Sequence, residues 1–375
     1  MGHAHRVGVV GLGVISRVYL DTLLGHPAVR VTAVADLDAS RSAALAAGLP
    51  GVEALAVEEL LSSPDVDTVL NLTVPAAHAE IALGAIRHGK NVYGEKPLAA
   101  ELDDARAVLE AAAQAGVGVG CAPDTVLGTG IQTARAAVAA GRVGRPLSAS
   151  AVMVTPGHER WHPNPDFYYT NGGGPLLDMG PYYLASLVHL LGPVRAVTGA
   201  SSRLRAERVI GSGPRAGTRV PVEVDTHVSG VLEHEGGALT TITTSFDGVA
   251  TTAAPIEVHG ERGTLAVPDP NGFDGEVRLF ELGATRWHTL PPSAGYVGGT
   301  RGLGLLDFVA ADGQRSPRAS GELALHVLET MSALLRSSAE GRRVELTTSA
   351  QPPAPVPLTP AEEWAGAATR RPAAR

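Results

Sequence analysis

The first 120 residues alternate short β-branched segments with Ala- and Leu-rich segments of helical length, and this alternation constrains the fold more than any other feature. We predict strands at 6–10, 29–36, 68–72, 91–93 and 117–121, with helices at 15–24, 39–47, 78–88 and 101–115. Strands separated by crossover helices at this spacing form a parallel, doubly wound sheet. Residues 1–123 are therefore predicted to form an α/β domain of this type.

A different pattern follows a predicted linking helix at 128–140. We predict strands at 147–155, 220–233, 238–246, 256–259 and 277–282, and helices at 181–191, 302–311 and 320–340. Because turn residues rather than crossover helices separate these strands, we expect an open, mostly antiparallel sheet in a second α/β domain, 124–345. Residues 346–375 are predicted to be a Pro-rich extension that is partly disordered, from about Thr359 onwards.

Composition and charge exclude several kinds of partner. The 375 residues carry a net charge of -8 without a block of basic residues, which argues against nucleic-acid binding. No stretch of about 18 apolar residues occurs, so no membrane span is expected. The single cysteine, Cys121, has no internal disulfide partner, which favours a reducing, cytoplasmic location.

A glycine turn joins the first predicted strand to the first predicted helix. Gly11 permits the tight turn, and Gly13 permits the close approach of a pyrophosphate. The helix that begins with Val14 and Ile15 offers free N–H groups to the same phosphates. The turn therefore predicts a dinucleotide-binding site.

An acidic residue supports this interpretation. Asp36 ends the second strand, 25 residues after Gly11, close to the position at which an acid binds the ribose hydroxyls. A carboxylate there would repel the 2′-phosphate of NADP, so NAD is the predicted cofactor and NADP is less favoured. Arg41 is the nearby cation that could reach such a phosphate.

Lysine is almost absent from the chain, since only Lys90 and Lys96 stand among 30 cationic residues. Arginine keeps its proton near neutral pH, whereas lysine can exchange one in a suitable site. Lys90 is interpreted as a loop residue. Lys96 lies in the segment Gly94–Glu95–Lys96–Pro97–Leu98 directly after a strand, at the edge where parallel sheets bind ligands. Lys96 is therefore predicted to meet the nicotinamide.

Other residues near this edge complete the predicted cofactor site: Thr73, Pro75, His78, Glu95 and Pro97. For His78, a helix-capping role and a cofactor contact both remain open. Cys121 lacks a neighbouring base and is interpreted as a buried structural thiol.

A second glycine run, Gly172–Gly173–Gly174, leads into a helix predicted to begin near Pro181. Asp178 and Tyr182 lie four residues apart, so on a helix they could face the same cleft. With these motifs the sequence resembles the Gfo/Idh/MocA family, named for glucose-fructose oxidoreductase, inositol dehydrogenase and the rhizopine-catabolism proteins. The resemblance covers about residues 6–345 and rests on Gly11-x-Gly13, Glu95–Lys96–Pro97, and the glycine run followed by Asp178-x-Gly180.

The resemblance implies an N-terminal Rossmann domain and a C-terminal α/β domain whose open sheet often forms the oligomer interface, so a homodimer or homotetramer is expected. It implies hydride transfer between a nicotinamide and a carbon of a sugar or cyclitol. It also implies a cis bond between Lys96 and Pro97. Many members carry an acid/base histidine where this chain has Tyr182, so the family pattern does not assign the proton carrier here.

The segment His158–Glu159–Arg160–Trp161–His162 matches the zinc pattern H-E-x-x-H. Prolines on both sides leave room for barely more than one helical turn, and no third ligand stands at a recognisable spacing, so no metal site is predicted. The stretch 157–183 instead holds six of the 15 aromatic residues, and flat rings among polar side chains suit a polyol. The predicted substrate contacts are Lys96, Asp124, His158, Trp161, Asp178 and Tyr182.

Together with what the resemblance implies, these residues predict an NAD-dependent dehydrogenase acting on a secondary alcohol of a sugar, glycoside or cyclitol. Lys96 is the predicted acid/base, because the positive nicotinamide ring favours a neutral amine beside it. Tyr182 would bind or relay the same proton, and Asp178 would hold Lys96 or the substrate hydroxyl. Two alternatives stay open: NAD-assisted glycoside cleavage or epimerisation, and a non-catalytic cofactor-binding sensor or scaffold.

Overall fold

The structure is a computed structural model, and it describes residues 4–311 and 316–365. Strands and helices alternate through its first part: β1 (His5–Val10), α1 (Val14–Leu23), β2 (Val29–Ala35), α2 (Ala39–Ala47), β3 (Glu53–Ala54), α3 (Val57–Ser62), β4 (Thr68–Asn71), α4 (Pro75–Arg87), β5 (Asn91–Gly94), α5 (Leu102–Ala115) and β6 (Val119–Cys121).

The following part is richer in strands: α6 (Thr129–Ala139), β7 (Pro146–Val154), α7 (Pro175–Leu191), β8 (Val194–Ser202), β9 (Glu207–Val209), β10 (Arg219–Pro221), β11 (His227–His234), β12 (Leu239–Ser245), β13 (Ile256–Gly260), β14 (Gly263–Val267), β15 (Val277–Glu281), β16 (His288–Leu290), α8 (Leu303–Ala311), α9 (Gly321–Glu340), β17 (Val344–Glu345) and α10 (Ala361–Trp364). Among the described residues, no helix combines the length and the apolar character needed to cross a membrane.

The chain divides into two compact units. The first comprises the described residues within 1–128, 296–325 and 356–375, and the second comprises 129–295 and 326–355. The predicted domains were continuous stretches, whereas here a late segment returns to the first sheet. Ser320 forms an antiparallel bridge with Gly120, and the Cys121 N–H donates to the carbonyl of Ala319 (3.0 Å).

The first unit is built on a six-stranded sheet in the order β3-β2-β1-β4-β5-β6. Its strand pairs are all parallel, which confirms the predicted doubly wound sheet. Val9, Val34 and Val69 are fully buried, as expected for strands covered by helices on both faces. The strand order reverses between β1 and β4, and sheets of this type bind ligands beyond the carboxyl ends of the strands at such a point.

The second unit is built on a nine-stranded sheet in the order β16-β15-β14-β13-β7-β12-β11-β8-β17. Only β7 and β12 pair in parallel among the described strands of this sheet, which confirms the predicted mostly antiparallel arrangement. Helix α7 packs on one face, where alternate residues of β7 and β12 are buried. Their neighbours on the opposite face are half-buried or exposed, and we call them the open sheet face: Ser150, Val152, Ser229, Val231, Thr241 and Thr243.

The strands β8, β9, β14, β16 and β17 were not predicted, and two predicted elements of the second unit have other bounds in the structure. Helix α7 begins at Pro175, with Gly174 as N-cap, so Pro181 lies inside the helix rather than at its start. The predicted strand 220–233 is two strands, β10 and β11. The connecting residues bond elsewhere, since the Glu223 N–H donates to the carbonyl of Tyr169 (2.8 Å).

The predicted disorder from Thr359 is wrong for residues 359–365. Trp364 is buried, and its indole N–H donates to the carbonyl of Val297 (2.9 Å). The ring also packs edge-to-face on Tyr296, with centroids 6.0 Å apart. Residues 366–375, to which the same prediction applied, lie outside the described residues.

Candidate active site

The glycine turn between β1 and α1 lies at the carboxyl edge of the first sheet. Gly11 has a φ of +93°, and a Cβ there would lie 2.7 Å from the backbone carbonyl of Leu72, so only glycine fits. Its N–H donates to the carbonyl of Ala35 (2.9 Å). A Cβ on Gly13, by contrast, would meet no atom within 4 Å. Gly13 therefore leaves open space in front of α1.

The N-terminus of α1 offers donors that a pyrophosphate needs. Gly13 is the N-cap and has no side chain to satisfy the first-turn N–H groups. Val14 is 96% exposed and Ile15 is half-buried, so this end of the helix faces solvent. These residues fit a dinucleotide, because Gly11 makes the turn and Gly13 keeps the approach open.

Asp36 stands directly beside the turn. Its Oδ2 accepts from the Leu12 N–H (2.7 Å), and its Oδ1 accepts from the Asp38 N–H (2.9 Å). Arg41 places Nη1 3.7 Å from Asp36 and Nε 3.5 Å from Asp38. The predicted ribose acid and the cation that could favour NADP therefore form an ion pair.

Lys96 follows β5 at the same edge and is half-buried, and its bond to Pro97 is cis, as the resemblance implied. The preceding Glu95 accepts from the Tyr19 hydroxyl at Oε1 (2.7 Å) and from the Lys96 N–H at Oε2 (3.1 Å). Burial raises the pKa of Tyr19, which keeps the phenol a donor. Tyr19 and Glu95 thus hold the backbone that carries Lys96.

His78 joins the loop after β4 to the turn after Lys96. Its Nδ1 lies 2.6 Å from the carbonyl oxygen of Pro97, and its Nε2 lies 3.0 Å from that of Thr73. The ring is buried, and burial lowers its pKa. Helix α4 begins at Pro75 and its N-cap is Val74, so His78 lies inside the helix and does not cap it. Its ring instead connects the loop after β4 to the turn after Lys96.

Asp124 was predicted to contact the substrate, but the structure places it in the interior of the first unit. It is fully buried, and its Oδ2 accepts from the N–H groups of Gly302 (2.9 Å) and Gly304 (3.1 Å). Arg301 lies 3.4 Å from its Oδ1, and burial raises the pKa of this carboxyl. Asp124 thus caps α8. Cys121 is buried as well, and burial raises the pKa of its thiol, in line with a structural role.

In the second unit, a glycine loop leads into α7. A Cβ on Gly173 would lie 2.5 Å from the carbonyl oxygen of Phe167, and Gly174 has a φ of +92°. Both glycines are needed for the loop to pack against the start of the helix. Because α7 begins at Pro175, Asp178 lies in its first turn.

Asp178 is paired with His158. The Nε2 of His158 lies 3.1 Å from the Oδ2 of Asp178, and the two side chains are 11% and 20% exposed. The Nδ1 of His158 is buried and has no hydrogen-bond partner among the described residues. In the neutral ring the nitrogen facing a carboxylate carries the proton, so Nε2–H donates and Nδ1 keeps its lone pair.

The remaining predicted substrate residues surround this pair to different degrees. Tyr182 lies one turn beyond Asp178 on α7 and is 6% exposed. Trp161 is 59% exposed, and its ring lies edge-on to that of His158, with centroids 5.2 Å apart. The structure therefore gathers His158, Trp161 and Asp178, with Tyr182 on the same helix as the carboxylate.

The H-E-x-x-H residues have separate partners. His158–Arg160 is a short 3-10 helix rather than an α-helix. Glu159 is buried and accepts from the Tyr169 hydroxyl and from Arg208 Nη1 (3.1 Å). No group of three His, Cys, Asp or Glu side chains is placed to hold a metal ion within the residues that the structure describes.

Residues 157–174, which carry Trp161, Phe167, Tyr168 and Tyr169, form what we call the aromatic loop. The hairpin of β9 and β10 holds this loop in place, and the sequence analysis did not predict that contact. The Gly211 N–H donates to the carbonyl of Glu159 (2.7 Å), and the Ser212 hydroxyl donates to that of Trp161 (2.7 Å). The partners are about 50 residues apart in sequence. The one residue that could have indicated this contact is Gly211, because a Cβ there would lie 2.7 Å from the carbonyl oxygen of Arg160. Tyr19 was missed for the same reason, since it lies far from Glu95 in sequence.

Known proteins match both units. Residues 5–122 match a family model described as an oxidoreductase family with an NAD-binding Rossmann fold, and residues 131–266 match the GFO/IDH/MocA C-terminal domain. The 1,5-anhydro-D-fructose reductase of Ensifer adhaerens is 31% identical over 92% of this chain and 99% of its own length. The inositol 2-dehydrogenase of Rhizobium meliloti (strain 1021) is 25% identical over 91% and 99%. A structure of levoglucosan dehydrogenase in complex with NADH and levoglucosan shares the fold, with a TM-score of 0.76, 20% identity, and coverage of 92% of this chain and 100% of that one.

The Rossmann sheet, the glycine turn and the second α/β unit define an NAD-binding oxidoreductase. The chain belongs to the Gfo/Idh/MocA family of oxidoreductases. The predicted fold class, the family resemblance and the enzyme class are thereby confirmed.

Proposed function

We propose that the protein is a dehydrogenase that prefers NAD and acts on a secondary alcohol of a sugar or cyclitol, with Lys96 as its acid/base. The names of two relatives give a sugar derivative and inositol as their substrates. The observation that carries the proposal is the Glu95–Lys96–Pro97 segment, which Tyr19 and His78 hold at the ligand-binding edge of the sheet.

The preference for NAD is proposed from Asp36. Ribose hydroxyls are donors that a carboxylate can accept, whereas a 2′-phosphate would meet like charge. Arg41 is already paired with Asp36 and Asp38, which leaves it a weaker phosphate ligand than an unpaired arginine. When bound, NAD supplies the hydride acceptor, or NADH the donor, for the carbon that reacts.

Lys96 is proposed to move the proton. Oxidation of a secondary alcohol removes the hydroxyl proton as the hydride leaves the same carbon, and a neutral Lys96 amine accepts that proton. In the opposite direction the ammonium form donates it to the carbonyl oxygen. Arginine would not serve, because its guanidinium does not give up a proton near neutral pH.

Asp178, His158 and Tyr182 are the residues of the second unit that we propose act on the substrate. His158 donates to Asp178 and thereby orients the carboxylate that accepts a substrate hydroxyl. Tyr182, one turn further along α7, is proposed to relay the proton. His158 is thus a positioning residue that brings an imidazole beside Asp178, in a chain whose family histidine is replaced by Tyr182.

We also propose that two copies associate through the open sheet face. Its side chains are small, with Ser and Thr hydroxyls beside Val152 and Val231, and the Ser229 and Thr243 hydroxyls lie 3.0 Å apart. A flat face of this kind can pair with itself about a two-fold axis. The family resemblance points to the same surface.

A substrate panel tests the function. Sugars, their glycosides and inositols are each incubated with enzyme and NAD, with nicotinamide absorbance and substrate consumption followed together. NADH that accumulates in step with substrate oxidation is the expected result. Substrate loss without net NADH would instead show cleavage or epimerisation, and NAD binding without any turnover would contradict the dehydrogenase.

A further inference from the structure

We propose that the aromatic loop forms a distal subsite, in which Trp161 and Phe167 stack on a second ring attached to the reacting sugar. The substrate would then be a glycoside rather than a free monosaccharide or cyclitol. This inference rests on the proposed function for the reacting sugar, and it adds the class of the group that the sugar carries.

Two large aromatic side chains are left in solvent in this loop. Trp161 is 59% exposed and Phe167 is 55% exposed. The two other tryptophans, Trp287 and Trp364, are 37% and 8% exposed. Burial of an apolar side chain is favourable, so exposing two aromatic side chains in one loop needs a reason such as a binding surface.

The loop that exposes them is nevertheless held in place. The Ser212 hydroxyl donates to the Trp161 carbonyl (2.7 Å), which fixes the backbone under the indole. On the other side, Arg215 Nη2 donates to Asp166 Oδ1 (2.8 Å), next to Phe167 in sequence. A backbone that is already held lowers the conformational entropy lost when a ligand stacks on the exposed rings.

The exposed rings continue outward from the pair of His158 and Asp178. The ring of His158, which bonds to Asp178, lies 4.7 Å from that of Tyr168, and Tyr168 lies 4.0 Å from Phe167. Exposure increases along this series, because His158 is buried, Tyr168 is half-buried and Phe167 is exposed. The exposed ring of Trp161 also contacts the ring of His158, separately from Tyr168 and Phe167.

This gradient separates an inner from an outer part of the loop. A single sugar ring bound by Asp178 would engage the inner rings and leave the outer ones uncovered. A second ring on the same substrate would present its apolar C–H face or aromatic face to Trp161 and Phe167. The ion pair of Arg215 and Asp166 beside them suits the hydroxyl groups around a sugar ring.

The test uses the sugar that the substrate panel identifies, as its methyl and phenyl glycosides. The wild type is expected to show a KM at least tenfold lower for the phenyl glycoside. Trp161→Ala and Phe167→Ala should each reduce this ratio by threefold or more, and the double variant should bring it to within twofold of one. Trp287→Ala, which removes an indole elsewhere in the second unit, is the control and should retain the wild-type ratio.

Equal KM values for the two glycosides, or a ratio that the loop variants do not change, would overturn the subsite while leaving the dehydrogenase intact. A panel in which only free cyclitols react would overturn it too, as would a smaller oligomer in Trp161→Ala, since a second copy would then cover the loop.

Fluorescence separates the subsite from the proposed function. If no sugar is oxidised, phenyl β-glucoside is titrated with tryptophan emission as the readout. Quenching in the wild type and in Trp287→Phe, but not in Trp161→Phe, would uphold the subsite although the proposed reaction had failed. Absence of quenching in all three proteins would overturn it.

Discussion

The imidazole of His158 donates from Nε2 to the carboxylate of Asp178, 20 residues further along the chain, across 3.1 Å. The pair joins the aromatic loop to the first turn of α7. It also places a histidine beside Asp178, whereas the residue four positions further along α7 is Tyr182. The proposed role of Asp178 therefore depends on a residue outside its own motif.

His158→Leu should lower kcat/KM by about 10- to 100-fold, which is typical for the loss of a partner that orients a functional group. His158→Gln keeps an N–H donor of similar reach and should restore part of the loss. Steady-state kinetics measures both. The control is His259→Gln, on β13, which should stay close to the wild type. Equal losses in the Leu and Gln variants would show that packing, not the hydrogen bond to Asp178, is what matters.

Asp36→Ser should weaken NAD binding and improve NADP binding relative to it, because a repulsive charge is removed from the ribose position. Titration of both cofactors by nicotinamide fluorescence gives the ratio of dissociation constants. Asp38→Ser, in the same ion-pair cluster, is the control and should leave the preference for NAD. Tighter binding of NADP than of NAD by the wild type would refute the assignment.

The burial of His189 should lower the free energy of unfolding in acid. It is buried on α7, its Nε2 has no partner among the described residues, and burial lowers its pKa to about 3. The unfolded chain takes up a proton near pH 6.5 whereas the folded one does not, so the free energy of unfolding falls as pH drops below that value. At pH 5 the loss is about 2 kcal/mol.

Urea denaturation at pH 7 and pH 5 measures this loss. His189→Gln should reduce the difference between the two pH values, because the titrating group is gone. Ser186→Ala, one turn earlier on the same helix and equally buried, should change stability without changing that difference. The same difference in His189→Gln and in the wild type would show that other groups cause the acid sensitivity.

Thr241→Arg should reduce the molar mass observed by light scattering at micromolar concentration, because two copies facing each other through the open sheet face would bring like charges together. Leu282→Arg, on a side chain that is 81% exposed after β15, is the control and should keep the wild-type mass. A wild-type protein that is already monomeric would contradict the proposed interface.

Five of the six strands of the first sheet follow from the sequence, since local signals determine them, whereas the two-residue strand β3 and the short helix α3 were not predicted. Val-rich segments mark these strands, and Gly11 and Asp36 mark the cofactor edge by chain position alone. The start of α7 does not follow, because a proline is an equally good signal at Pro175 and at Pro181. In the structure α7 begins at Pro175, and Gly180 inside the helix lies so close to Met331 on α9 that a Cβ would be 3.1 Å from its sulfur.

The supports of the candidate site escaped prediction for a different reason. Asp124 follows a strand at the expected edge, yet its carboxylate accepts from N–H groups about 180 residues away. A local sequence pattern cannot predict a partner at that separation. His158 and Asp178 were both predicted as substrate contacts from their chemistry. Because an irregular loop separates them, neither helical nor strand periodicity could predict that their side chains meet. Side chains that meet across loops are visible only once the chain is folded.

The central claim is that Lys96 carries the proton in hydride transfer, and Lys96→Met tests it most directly. NADH formation from the best panel substrate is measured at saturating NAD, and the NAD dissociation constant is measured separately. The variant is expected to lose about 100- to 10,000-fold in turnover with NAD binding within a few-fold of the wild type. Tyr182→Phe should lose less. Near-wild-type turnover in Lys96→Met together with an inactive Tyr182→Phe would contradict the account and assign the proton to Tyr182.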